Sequence, residues 1–291
     1  QNDVHQYQAL HSRVGQRPLP TVHIVDMRVE FQKHGREKLC SGLLSTAIQS
    51  RLEKREQALI LLNRRGYASS LLCRSCGYTE TCHNCSVSLT YHQKWQRLAC
   101  HYCGYSRTLP QRCPRCRKQY LHYLGMGTEQ VEEQLQALYP RARIDRLDRD
   151  STRRKGSLQS ILQSFHSRKT DILVGTQMIA KGHDFPGVTL VGVLAADQGL
   201  RLADFRAAER TFQLLTQVAG RAGRGDQPGE VVVQTYYPNH YSLKYACLQN
   251  YEGFYKREVQ FRQRFRYPPF TALANLLVRG HKEDESRSIA L

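Results

Sequence analysis

No apolar run in these 291 residues approaches the ~20 that a bilayer-crossing helix needs, which excludes a helical membrane span. The first residues, Gln1, Asn2, Asp3, Val4 and His5, lack the charged-then-apolar pattern of a secretory signal, so a cytosolic compartment is expected. Nowhere is there a Gly-x-x-x-x-Gly-Lys-Ser/Thr phosphate loop, and no acidic Mg²⁺-binding box follows an apolar strand. The chain alone is therefore expected neither to bind ATP tightly nor to hydrolyse it. Acidic residues are also short, 25 Asp+Glu against 43 Lys+Arg, for a formal charge of +18. That imbalance favours an anionic polymer, nucleic acid first, as partner. The basic residues are spread along the chain instead of gathered in a tail, which speaks against charge that serves solubility alone. There is no initiating Met, and neither the start nor the charged stretch Glu283, Asp284, Glu285 shows a capping pattern, so a fragment is expected.

What is present is enough apolar residue, 40 %, for a sizeable core. Val22 and Ile24 alternate with polar neighbours as in a short strand. Leu39, Leu43, Ala47, Ile48 and Leu52 recur at helical spacing, and an apolar strand, Ala58 to Leu62, follows. Beyond the cysteine-rich stretch a helix is expected from about Thr128 to Leu138, a strand around Ile144, and a helix through Leu158, Ile161, Leu162 and Phe165. Strands at Ile172 to Val174 and Val188 to Leu194 follow, then a helix from about Asp204 to Ala219 and a strand from Glu230 to Thr235. Strands alternating with helices predict an α/β, doubly wound and mostly parallel sheet. An aromatic, basic helix (Tyr245, Phe254, Tyr255, Phe261, Phe265) then runs to Pro268-Pro269. A strand, Ala272 to Val278, is expected to open another domain.

Eight of the ten cysteines form four pairs, each separated by two residues: Cys73 and Cys76, Cys82 and Cys85, Cys100 and Cys103, Cys113 and Cys116. A tight turn lets both thiolates of a pair face one ion, and Zn²⁺ takes four such ligands in a tetrahedron, so four pairs make two closed, structural sites. Four disulfides would require an oxidising compartment that nothing else in the sequence suggests. A thioredoxin-like redox role would need one reactive pair, not four. Spacing alone does not decide which pairs share an ion; nested pairing would join the first pair to the last and the second to the third. Basic and aromatic residues lie between the ligands (Arg74, Tyr78, Tyr91, Lys94, Trp95, Arg97, Tyr102, Tyr105, Arg107). Phosphate contact and base stacking suit them, and so does making up for a missing core.

The sharpest motif is Gln217-Val218-Ala219-Gly220-Arg221-Ala222-Gly223-Arg224. On a helix, residues 217, 221 and 224 share one stripe, so an amide and two guanidiniums are expected to point the same way into a phosphate cleft. A second motif runs from the strand ending at Val174 through Gly175-Thr176-Gln177-Met178 to Lys181-Gly182-His183-Asp184-Phe185-Pro186. Ligands bind just past the carboxyl ends of parallel strands, where Thr176 can donate to a phosphate and Gly182 lets backbone approach a nucleotide. Asp184 suits either a ribose hydroxyl or the cap of a turn.

Together these motifs resemble motifs V and VI in the second RecA-like lobe of superfamily 2 helicases. The eight-cysteine insertion ahead of them directly follows Leu61-Leu62-Asn63-Arg64-Arg65-Gly66-Tyr67. In this it is similar to the PriA family, the bacterial primosomal replication-restart helicases. The likeness extends to Gly127-Thr128-Glu129-Gln130, Asp148-Arg149-Asp150 and Ala203-Asp204-Phe205-Arg206. It implies a RecA-like parallel-sheet helicase lobe with an inserted two-zinc module and a short truncated C-terminal α+β segment. The implied organisation is 1–30 as a linker from a missing first lobe, 31–71 and 121–240 as the second lobe, 72–120 as the zinc insert, and 241–291 as the start of a C-terminal domain. The implied activity is that of an ATP-dependent 3′-to-5′ DNA helicase that binds branched or stalled forks and promotes primosome assembly and replication restart in the bacterial cytoplasm.

The resemblance also implies cofactors, partners and site residues. ATP and Mg²⁺ serve the intact enzyme, and two structural zincs are held in nested pairs: Cys73, Cys76, Cys113 and Cys116 on one, Cys82, Cys85, Cys100 and Cys103 on the other. The partners are forked or single-stranded DNA, primosome proteins, the loader of the replicative helicase and single-stranded DNA-binding protein, with no membrane. Arg221 and Arg224 are expected to reach the nucleotide, Arg224 as the transition-state contact, and Gln217 to couple the cleft to DNA. Gly175, Thr176, Lys181, Gly182 and Asp184, with Arg64 and Arg65, are the expected ATP and DNA contacts. An alternative from another class is a non-catalytic, zinc-dependent DNA- or protein-binding adaptor that uses the α/β unit as scaffold.

Overall fold

A computed structural model of the chain describes residues 19–35, 38–63, 71–92, 95–123, 127–180, 185–223, 227–274 and 288. In chain order the first elements are β1 (Thr21–Asp26), α1 (Met27–His34), α2 (Gly42–Glu53) and β2 (Gln57–Leu62). Five short strands follow: β3 (Leu71–Cys73), β4 (Thr90–His92), β5 (Arg97–Ala99), β6 (Ser106–Thr108) and β7 (Leu121–Tyr123). Then come α3 (Thr128–Leu138), β8 (Ile144–Leu147), α4 (Ser157–His166), β9 (Ile172–Gly175), α5 (Gln177–Ala180) and β10 (Val188–Leu194). A 3₁₀ turn (Ala196–Arg201), α6 (Ala207–Ala219), β11 (Glu230–Thr235), α7 (Tyr241–Cys247) and α8 (Tyr251–Arg264) complete the series.

The continuous apolar runs of β2, β9 and β10 are buried along their whole length, as strands covered on both faces must be. They form the middle of a six-stranded sheet in the order β1-β11-β10-β2-β9-β8, every pairing parallel. Side chains alternate between its faces. Leu59, Leu61, Val191, Val193, Val231 and Val233 meet Phe212, Leu215 and Val218 of α6 on one side. Ala58, Ile60, Ile172, Val174 and Leu190 meet Leu44 and Ile48 of α2 with Val131 and Leu135 of α3 on the other. Each such side chain is worth about 1.5–3 kcal/mol of burial. No helix among the described residues is long and apolar enough to cross a membrane.

The sheet and its flanking helices follow the sequence reading, with four departures. On α2 the expected inward Leu43 is 42 % exposed and Leu44 is fully buried in its place, packed with Ala47 and Ile48 against the sheet. β1 pairs with β11 along its entire length, so residues 21–26 are part of the sheet and not of a linker. The aromatic helix expected between Tyr245 and Phe265 is two helices, α7 and α8, broken at Gln249, which has φ +50°. Both pack on the lobe's own core, Phe254 stacking on Phe212 at 4.1 Å. Finally, α6 ends at Ala219 as expected, but residues 220–223 are a turn, so the helical stripe expected to run on through residue 221 does not form. Gly223 adopts φ +68°, and a Cβ there would sit 2.4 Å from the Gly229 nitrogen, so the chain folds back tightly at this point. The strand expected from Ala272 lies mostly outside the described residues.

The insertion leaves and rejoins the lobe through one antiparallel pair, β3 with β7, and carries a three-stranded antiparallel sheet, β4-β5-β6. Its own buried cluster is small: Leu71, Cys82, Val87, Leu89, Leu98 and Cys100.

Candidate metal centres and candidate nucleotide edges

The four cysteine pairs are built alike. In each, the amide of the first cysteine donates to the carbonyl five residues on, and its own carbonyl accepts from the amide four residues on. The first set is Cys73 to Tyr78, Cys82 to Val87, Cys100 to Tyr105 and Cys113 to Lys118, at 2.8–3.0 Å. The returning donors are Gly77, Ser86, Gly104 and Arg117, and all four have left-handed φ between 53° and 73°. That turn aims the amides at the sulfurs and brings both thiols of a pair to one side.

The pairs combine as first with last and second with third. Cys73, Cys76, Cys113 and Cys116 form one quartet, Cys82, Cys85, Cys100 and Cys103 the other, with the sulfurs of each within 4.8 Å of one another. Cys73 and Cys116 are 3.6 Å apart, Cys76 and Cys113 3.6 Å, and Cys82 and Cys103 3.5 Å. A disulfide needs about 2.05 Å. A tetrahedron of sulfurs about 2.3 Å from a zinc has edges of roughly 3.8 Å, so the spacing suits that ion. Burial pushes the Cys76 and Cys85 thiols up, whereas the Tyr105 amide holds exposed Cys103 down to about 6. Four thiolates this close repel one another, and a divalent cation removes that penalty as it displaces their protons. The residues present thus fit two structural zinc ions.

Each quartet is fastened to a different part of the lobe. The first rests on α1: Arg28 reaches the Cys76 carbonyl at 3.4 Å, Gln32 the Ser75 carbonyl at 3.1 Å, and Phe31 meets Tyr120 edge-on at 5.3 Å. The second touches the segment ahead of α6 and the one after α8. The Phe205 amide donates to the Tyr102 hydroxyl at 3.1 Å, and the Tyr267 hydroxyl donates to the Cys85 carbonyl at 2.6 Å. The aromatics between the ligands divide accordingly. Tyr91 and Tyr105 pack on the small core and Tyr78 bonds to Glu80, while Trp95 stands 55 % exposed and stacks on His92 at 5.0 Å.

A parallel sheet has two distinct ends, and the expected motor residues divide between them. Gly175 closes β9 and Thr176 follows at the carboxyl end, half-buried, its carbonyl accepting from Ile179 at 3.1 Å. Arg221 lies at the amino end instead: the neighbouring Gly223 amide donates to Val188, the first residue of β10, at 3.1 Å. Helix α6 explains the separation, because it runs antiparallel to the strands and delivers its last turn to their starting edge. Gln217 is exposed near that turn and Arg221 is half-buried beyond it, so they do not share a helical stripe. Arg224, Arg64, Arg65, Lys181, Gly182 and Asp184 lie outside the described residues.

Two polar clusters at the carboxyl end escaped the sequence reading. Asp197 and Arg201 form an ion pair that is almost fully buried, with Asp197 also accepting from the Thr235 hydroxyl at 2.8 Å and the Tyr236 amide at 3.0 Å. Burial alone would raise the Asp197 carboxyl, but Arg201 and these donors hold it below the usual range. Asp148 takes the Thr128 hydroxyl, Arg146 at 3.1 Å and the Ser151 amide at 2.8 Å. Asp148 and Thr128 both stand in stretches that carry the family resemblance, but nothing in the sequence announced that they meet across twenty residues.

Residues 82–107 match the family described as the PriA DNA helicase Cys-rich region, and residues 119–226 match the helicase conserved C-terminal domain. The chain is thus a helicase-type C-terminal lobe carrying a cysteine-rich insert. Along nearly its whole length it is similar to the replication restart protein PriA of several bacteria. It is 48 % identical over 283 residues to the Bacillus subtilis protein of that name, across 97 % of this chain and 35 % of that protein. The Synechocystis protein is 46 % identical over 290 residues, 98 % of this chain and 35 % of its own. The Haemophilus influenzae protein is 42 % identical over 284, 98 % and 38 %. The chain spans little more than a third of the length of these relatives.

Proposed function

We propose that this chain is the second motor lobe of an ATP-dependent 3′-to-5′ DNA helicase that binds branched or stalled replication forks and promotes primosome assembly and replication restart in the bacterial cytoplasm. The observation that carries the reading is the likeness to PriA replication restart proteins along nearly the whole chain, together with a lobe that contains no phosphate loop of its own. The phosphate loop and the Mg²⁺ ligands come from a preceding lobe in the intact protein, and ATP with Mg²⁺ is bound between the two. Arg224 stabilises charge on the transferred phosphoryl group, Arg221 holds the nucleotide, and Gln217 relays the state of the cleft towards DNA. Lys181, Gly182 and Asp184 complete the nucleotide side. Gly175 and Thr176, at the carboxyl end, with Arg64 and Arg65, contact the phosphates of single-stranded or forked DNA.

Two zinc ions hold the insert, and primosome proteins, the replicative helicase loader and single-stranded DNA-binding protein are its expected partners. The strongly basic balance supports the DNA contact. Combining the chain with the missing first lobe tests the assignment. DNA-stimulated ATP hydrolysis is expected to appear, to be absent from either piece alone, and to fall about a thousandfold or more with Arg224→Ala. No hydrolysis on combining the two pieces would sink the motor and leave a zinc-dependent adaptor, and hydrolysis that survives both Arg224→Ala and Arg221→Ala would sink the roles given to these arginines.

A further inference from the structure

The second cysteine quartet is joined to the head of α6 by a layered contact that the first quartet lacks. The ring of Phe205 lies parallel to that of Tyr267, 5.1 Å between centroids and 12° between planes. The Arg262 guanidinium is 5.1 Å from the same Phe205 centroid. Arg262 in turn binds Glu209 in the first turn of α6 at 2.6 Å and Glu258 of α8 at 2.9 Å. Tyr267 and Tyr102 connect this stack to the quartet, one through the Cys85 carbonyl and the other through the Phe205 amide. The quartet's contacts thus run without a gap into α6, whose far end carries the Arg221 turn. The first quartet rests on α1 and, through the Gly77 turn, against Tyr236 after β11, and touches none of these groups.

We propose that Phe205, Tyr267 and Arg262 are positioning residues that tie metal occupancy of the second quartet, and not of the first, to the placement of α6. A filled second site fixes the Cys85 and Tyr102 backbone, which fixes Tyr267 and Phe205, and Arg262 passes that constraint to Glu209. Helix α6 is a rigid lever, so order at its head is felt at residues 217–221. By linkage the effect is reciprocal: whatever loosens the stack weakens the hold of the second site on its ion. The inference rests on the helicase reading only in what it says α6 carries.

The test uses the whole zinc-loaded chain and needs neither ATP nor DNA, so it can fail while the motor assignment stands. Hydrogen exchange of amides 203–210 is compared in Cys103→Ser, which opens the second site, and Cys116→Ser, which opens the first. Faster exchange is expected only in Cys103→Ser. Release of the two ions to a chelator is then followed in Phe205→Ala, in Tyr267→Phe, and in Gln32→Ala as the control beside the first site. One ion is expected to leave faster in the first two variants, by several-fold to about tenfold in Tyr267→Phe, the worth of one hydrogen bond. Tyr267→Phe keeps the ring and serves if Phe205→Ala does not fold. Equal exchange in both cysteine variants, or equal acceleration of both ions, overturns the proposal.

Discussion

The sheet lobe and the cysteine insert are parts of one chain held together by different physics. The lobe has an apolar layer on each face of its sheet, built from long side chains of six parallel strands and their helices. The insert's buried cluster has six residues, two of which are metal ligands, over strands of three residues each. A segment that small cannot offset its chain entropy by apolar burial, so its order has to come from the ions. The lobe should stand without metal and the insert should not.

Stripping the metal is the strongest way to break that comparison. Structural zinc in small cysteine modules contributes on the order of 10–16 kcal/mol of apparent binding energy, which here is folding energy. With chelator, amides of 71–92 and 95–123 are expected to exchange freely while those of β2, β9 and β10 stay protected. A lobe that melts together with the insert would mean that the contacts through α1, Tyr102 and Tyr267 make the two one cooperative unit. An insert that stays protected without metal would show its small core to be sufficient.

The same contrast governs how much could be read from the sequence. Runs such as 57–62 and 188–194 announce buried parallel strands because nothing else in a folded chain needs so many consecutive apolar residues. The cysteine spacing announces metal sites equally plainly, but not which pairs combine, because pairing depends on how β3 and β7 close the insert. Helix phase and helix ends were less legible. Leu43 and Leu44 are equally apolar, and packing against the sheet decides which faces inward, Leu44 meeting Ile60 and Leu190 in one buried cluster. Composition also cannot say which core an aromatic helix will join: Phe254 packs on Phe212 of the lobe. The placement of Arg221 at the opposite end of the sheet from Thr176 follows from the direction and length of α6, which a motif alone does not carry.

Within the insert, two glycines sharpen the comparison by separating the metal turn from its seat on the lobe. Gly77 and Gly104 occupy the same left-handed position in their turns, with φ +73° and +71°. Ser86 and Arg117 fill that position in the other two turns, so a side chain is tolerated there at a cost of about 1–2 kcal/mol. Nothing lies within 4 Å of where a Gly104 Cβ would be, but a Gly77 Cβ would fall 2.3 Å from the Tyr236 carbonyl oxygen at the end of β11. Gly104→Ala is therefore expected to cost about 1 kcal/mol, and Gly77→Ala about 3–4 kcal/mol, since it must also push the insert off the lobe. Thermal unfolding of the zinc-loaded variants measures both. Equal losses would mean that the contact with Tyr236 yields freely and that the insert is not seated there.

Acid attacks the two regions differently. In the insert, acid acts by returning protons to the thiolates and releasing the ions. The lobe has its own weak point in His240, whose Nδ1 accepts from the Ser242 amide at 3.2 Å and lies 2.7 Å from the Ser242 hydroxyl at the start of α7. Burial lowers this imidazole to about 4, against a partial opposing pull from Asp197. An unfolded histidine titrates near 6.5, so between about 6.5 and about 4 the unfolded chain binds a proton that the folded lobe refuses. The stabilisation is complete above that window and is lost as pH falls through it, on the order of 3 kcal/mol, because the buried site refuses the proton that the unfolded imidazole takes up. His240→Asn keeps a capping acceptor and removes the titration. Its lobe is expected to lose less stability than the parent's between pH 7 and pH 5, with metal content measured in the same samples to account for the insert. Identical slopes in the two proteins would assign the acid sensitivity of the lobe to some other group.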